Sequence, residues 1–80
     1  NYPNPFNPLT RITFELPMKH AVRMRVFDLL GRDVATLVDE ERDAGTHIVQ
    51  FNAEGLPSGV YLYRFESGGY SATKKAVLLR

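Results

Sequence analysis

"VYLYRFESGGY", residues 60–70, carries the pattern that decides the fold. Tyr61, Tyr63 and Phe65 alternate with Leu62, Arg64 and Glu66, the period of two that a half-buried strand shows. Arg64 and Glu66 belong in water, which turns Tyr61, Tyr63 and Phe65 inward. Gly68 and Gly69 follow, and two consecutive glycines tolerate the positive φ that a two-residue hairpin turn demands. The stretch therefore predicts a strand, a tight turn and a returning strand over "YSATKKAVLL" (70–79). That last segment mixes its faces, and Val77 and Leu79 are the residues expected to point inward.

The same code recurs upstream. In "RITFEL" (11–16), Ile12, Phe14 and Leu16 share one face and Arg11, Thr13 and Glu15 the other, until Pro17 stops the strand. In "AVRMRVFD" (21–28), Val22, Met24 and Val26 face in while Arg23 and Arg25 keep the other face wet. Phe27 breaks the alternation, as a residue at an edge or a bend does. "LLGR" (29–32) reads as a turn with Gly31 at positive φ. "DVATLV" (33–38) is a short strand whose faces remain open between Val34 with Val38 and Ala35 with Leu37. "DEERDAG" (39–45) is charged and ends in glycine, so it reads as a loop, and a helical turn is the weaker reading because nothing apolar in it would pin a helix to the core. "THIVQFN" (46–52) places Val49 and Phe51 inside and His47 at the rim, and "AEGLPSG" (53–59) is rich in turn formers.

Six or seven short strands at a spacing of roughly ten residues, with frequent turns and no convincing helix, predict an all-β chain. The expected architecture is an antiparallel sandwich of the immunoglobulin or fibronectin-III kind. The spacing argues against parallel βαβ units, which need helical crossovers. Ahead of it stands "NYPNPFNPL" (1–9), with Pro3, Pro5 and Pro8. Each removes a backbone donor and pushes the residue before it toward extended geometry. The chain thus divides into a stiff proline-rich lead-in, 1–9, and a sandwich, 10–80. The lead-in suits a domain hung behind something else, and the chain reads as part of a longer protein.

Composition narrows what such a domain does. The chain has 80 residues, 44% of them hydrophobic, and no cysteine. It therefore relies on packing, without disulfide or thiolate metal staples. Ten basic and nine acidic residues give a net charge of +1, too balanced to point to nucleic acid or an anionic membrane. No stretch is long and apolar enough to be an integral membrane segment.

A catalytic or cofactor-binding constellation is not expected. His20 and His47 are too far apart in sequence for an HExxH-type site, and a zinc site with Asp28 or Asp43 is the weaker reading of both. Ser58 and Ser67 sit in turn contexts that lack the nucleophile elbow. The carboxylates of "DEERD" (39–43) lack the alternation and glycine of a calcium loop. Tyr61, Tyr63 and Tyr70 would suit a sugar-stacking platform only if exposed, and alternation turns the first two inward. Lys74 and Lys75 read as a wet strand edge.

Taken in order, "YPNPFNP", "FDLLGRDVATLV", "AGTH", "GLPSGVYLYRFESGG" and "TKKAVLL" closely resemble the type A C-terminal sorting domain of the type IX secretion system. This is a FlgD-like immunoglobulin-type module of surface and secreted proteins in Bacteroidetes-type Gram-negative bacteria. The resemblance spans essentially the whole chain. It implies a non-catalytic label at the end of an N-terminal cargo domain. The label passes through the periplasm, is read by outer-membrane secretion machinery, and is removed by a sortase-like surface peptidase on delivery to the cell surface or medium. It places the lead-in motif on Tyr2, Pro3, Asn4, Pro5 and Phe6, a turn motif on Gly31 and Arg32, and a strand motif on Gly59, Val60, Tyr61 and Tyr63. The terminal motif falls on Lys74, Lys75, Val77, Leu78 and Leu79. With Arg80, that terminal strand is the expected recognition element. The competing reading is a carbohydrate-binding or spacer module of a secreted multidomain hydrolase.

Overall fold

The computed structural model describes residues 9–78. The lead-in residues Tyr2, Pro3, Asn4, Pro5 and Phe6, and Leu79 and Arg80 at the other end, lie outside them. The described chain is built from six strands: β1 (Leu9–Leu16), β2 (His20–Asp28), β3 (Asp33–Arg42), β4 (Gly45–Asn52), β5 (Gly59–Ser67) and β6 (Tyr70–Leu78). All strand pairs are antiparallel. They form two layers, β1-β4 and β3-β2-β5-β6. The expected all-β antiparallel sandwich is what the sequence folds into.

The alternating residues meet between the layers. Val22, Met24 and Val26 of β2 are almost completely buried. They join Leu16, Val38 and Val49 toward one end, and Phe51, Ala53 and Tyr61 toward the other. Each buried valine, leucine, methionine or phenylalanine among them contributes about 1.5–3 kcal/mol by leaving water. Ile12, Phe14, Tyr63 and Phe65 pack against this core while half exposed, as their alternation predicts.

Three local readings need correction or completion. The segment 39–45 is not a loop: β3 runs on through Arg42, leaving only Asp43 and Ala44 before β4. Its backbone pairs with β2 out to Arg42 opposite His20. Exposed ion pairs add to this: Asp39 faces Arg23 of β2 at 3.9 Å, and Glu41 meets Lys19, just ahead of β2, at 3.7 Å, so these acids find partners on or beside the strand they pair with rather than in the core. The faces of residues 33–38, open from sequence, are both in use. The β2–β3 register shifts between Met24 and Arg25 and again between Val26 and Phe27. These irregularities let Val34, Ala35 and Leu37 pack on the core beside the buried Val38. Phe27 sits at the second shift, partly buried under the guanidinium groups of Arg25 and Arg64, 5.1 and 5.7 Å from its ring centre.

The third concerns β6. Gly68 and Gly69 turn the chain at φ of 54° and 83°, and this two-residue turn sets Ser67 opposite Tyr70. Tyr61 then faces Ala76, and Gly59 faces Leu78. Leu78, not Val77, therefore points toward the core, and Val77 is exposed. The expectation for Val77 was one residue out of step, and in a strand one residue reverses the face.

Candidate recognition surface

The polar residues singled out in sequence do not converge. Among the described residues no group of three His, Asp or Glu side chains is placed to hold a metal ion. Asp28 belongs to the β2–β3 turn. Its Oδ1 accepts the N–H groups of Leu30 and Arg32 at 2.9 Å each, and its Oδ2 accepts Nε–H of Arg32 at 2.7 Å. The backbone N–H of Arg32 above all, aided by its side chain and by Leu30, holds the Asp28 carboxyl below its ordinary value despite some desolvation. This carboxylate is the keystone of a turn that Gly31 completes at φ 83°.

His47 is at the rim, stacked on Phe14 with ring centres 5.2 Å apart, and its Nε2 lies 2.7 Å from the carbonyl oxygen of Asp43. His20 lies against the β5–β6 turn: a Cβ added to Gly68 would come within 2.7 Å of its Nε2. Both histidines are thus bound up with turns. Ser67 ends β5 opposite Tyr70.

The tyrosines are divided. Tyr61 is buried, and its hydroxyl donates to the carbonyl oxygen of Pro57 at 2.7 Å. A hydroxyl anchored four residues upstream is the tyrosine corner of immunoglobulin-type sandwiches. It fastens the 53–58 crossover, which is also tied by Leu56 N–H to Ala53 O at 3.0 Å and Glu54 N–H to Asn52 Oδ1 at 3.0 Å. That gives the Gly59–Tyr61 motif a structural reason. Tyr63 packs on the core, and Tyr70 alone is well exposed, edge-on to Phe65 at 6.2 Å. The three do not form one flat platform.

The terminal strand is the accessible element. β6 is one of the two outer strands of its layer, with β3 at the other side. Lys74 lies opposite Tyr63 and so shares the inner face; Lys75 lies opposite Leu62 and takes the outer one. Lys74, Lys75 and Val77 are exposed, while Leu78 is half-buried. Of the sequence-predicted recognition set, β6 thus brings Lys74, Lys75, Val77 and Leu78 onto one strand but divides them between its two faces.

Sequence reasoning missed the neighbour of this strand. β1, the partner of β4, has no strand along its other side among the described residues. Ile12 and Phe14 there face Tyr63, Phe65, Ala72 and Lys74 across an open groove. The groove continues past Arg11, Ala76 and Leu78. Counting the strands of the larger layer against the two of the smaller would have signalled the gap, but only once the pairing was known.

Charge follows the same division. Lys19, Arg23, Arg25, Arg32 and Arg42 are all ion-paired, chiefly to acids on β3 and the turn before it. Arg11, Lys74 and Lys75 have no ion pair among the described residues.

Compared with known proteins, residues 1–79 match the family model described as the secretion system C-terminal sorting domain. No curated protein matches, and no solved structure does.

Proposed function

The chain belongs to the secretion system C-terminal sorting domains, and from that premise we propose that its label is read on the β6 side of the sandwich. The domain is a sorting signal for type IX secretion, of a family that is generally non-catalytic. It works with the secretion machinery, which carries proteins to the cell surface or the extracellular space.

In the finer reading, a cargo domain precedes the label and crosses the periplasm with it in a Gram-negative cell. Outer-membrane machinery grasps the last strand through Lys74, Lys75, Val77, Leu78, Leu79 and Arg80. A sortase-like surface peptidase then cuts at or just before Tyr2, Pro3, Asn4, Pro5 and Phe6. The observation that supports the recognition step is the outer edge of β6, which no strand pairs among the described residues, with two lysines that have no ion pair among them. An outer strand presents backbone donors and acceptors, and charges on it select who may approach.

The experiment is a reporter with a signal peptide joined to residues 1–80, expressed in a bacterium that has the system. Export is expected for the intact fusion and is expected to fail when residues 71–80 are removed. A parallel fusion carrying Lys74→Glu and Lys75→Glu, shown folded by its resistance to proteolysis in the periplasm, separates recognition from folding. Undiminished export of both altered fusions would refute the terminal-strand reading.

A further inference from the structure

We infer that the groove between β1 and the inner face of β6 is a strand-addition site for an extended, acidic segment of another protein. The inference concerns the inner face and the β1 edge, and does not require that the outer edge of β6 be read during export.

Among the described residues the geometry leaves room for one strand. The larger layer has the order β3-β2-β5-β6, and the smaller is only β1-β4. Neighbouring strands are spaced about 4.8 Å and facing sheets about 10 Å, so a third strand beside β1 would lie over β6. Its floor is already apolar: Tyr63 and Phe65 are half-buried there, and Ala72 and Ala76 on β6 are too small to fill it. The free side of β1 offers the backbone donors and acceptors that β4 does not use.

Charge identifies the occupant. Arg11 and Lys74 line the groove, Lys75 stands at its rim, and the one acid among the lining residues is Glu15, whose Oε2 accepts Thr46 Oγ1–H at 3.1 Å, so cations outnumber acids there three to one. None of the three has an ion pair among the described residues. Lys74 is an inward-pointing charge next to an open edge, a device that deters apolar strands and self-pairing. The same lysine accepts a strand that sets a carboxylate opposite it.

A second copy of the chain fits poorly: on its outer strand β3 the acids Asp33, Asp39, Glu40 and Glu41 are already paired to Arg25, Arg23, Arg42 and Lys19, β6 carries no acid, and β1 offers Glu15 alone beside Arg11. An acidic strand supplied by a different protein satisfies both the backbone and the charges.

The test is an NMR titration of isotope-labelled residues 1–80 with an end-capped decapeptide of alternating valine and glutamate. The counterpart, in which lysine replaces glutamate, is titrated in parallel. The acidic peptide is expected to bind about tenfold more tightly or better, to shift the amides of residues 11–15 and 72–76, and to weaken with salt. Arg11→Glu with Lys74→Glu should reverse the preference. Ala72→Phe, which fills the floor, should abolish binding with the fold retained by circular dichroism. Absence of binding, equal binding of the two peptides, shifts centred on β3, or dimerisation through β1 without peptide would each overturn the inference.

Discussion

The two long sides of this sandwich are unlike each other. On the β3–β4 side, a two-residue connection joins the layers, and cross-strand ion pairs tie the outer strand to its neighbour. On the β1–β6 side the layers end unequally, aromatic side chains are only half covered, and three cations lack acidic partners among the described residues. Both sides have outer strands, so outer position alone does not make a binding surface. What distinguishes them is whether the charges and apolar floor are answered among the described residues.

The largest expected effect bears on the core common to both sides. Met24→Ala should cost about 2–5 kcal/mol in urea unfolding, since Met24 is almost wholly buried between the layers. A cost near zero would mean that the layers are not packed as described. Next, Tyr61→Phe should cost about 1–2 kcal/mol, because the Pro57 carbonyl loses its donor in a part-buried site. Loss of that tie should also raise amide exchange over residues 53–58 more than on β3.

Gly68→Ala should cost about 1–2 kcal/mol for its left-handed backbone. If the contact with His20 adds to that, His20→Ala should recover part of the loss in the double variant, and an additive pair would rule the contact out. Smaller still, a double-mutant cycle on Arg23 and Asp39 should give about 0.2–1 kcal/mol, falling with salt, because both side chains are half exposed or more. On the opposite side Lys75→Ala should leave stability unchanged, which sharpens the contrast between paired and unpaired cations.

Asp28 adds a pH dependence. Its folded carboxyl titrates below the ordinary 3.8, so the unfolded chain binds its proton first as pH falls. The contribution is therefore present above about pH 4 and is lost as pH drops through the folded value. Asp28→Asn should flatten this part of the acid limb of a stability profile, and an unchanged limb would show that the turn does not depend on the charge.

Much of this was legible in the chain. The alternation of Ile12–Leu16, Val22–Val26 and Tyr61–Phe65 gave the inner faces directly, because period two leaves no other choice when one face is charged. Gly31 and the Gly68-Gly69 pair gave two turns. What stayed hidden depended on pairing. Residues 39–42 look like a loop until Lys19 and Arg23 are set beside them, and the faces of 33–38 cannot be assigned while the register shifts opposite Arg25 and Phe27 are unknown. Val77 was misread although the glycine turn and Tyr61 together fix its register. Of the proposed recognition surface, Lys74 and Lys75 were visible, but their division between two faces and the company of Arg11 were not, since β1 and β6 are far apart in sequence.

The most direct test of the account compares export after matched charge reversals on the two sides. One fusion carries Lys74→Glu and Lys75→Glu, the other Asp39→Lys and Glu41→Lys, with folding of each verified by protease resistance. The account predicts that the β6-side variant loses export by about tenfold or more while the β3-side variant stays within about twofold of the parent. Equal export of the two, or a greater loss on the β3 side, would contradict it.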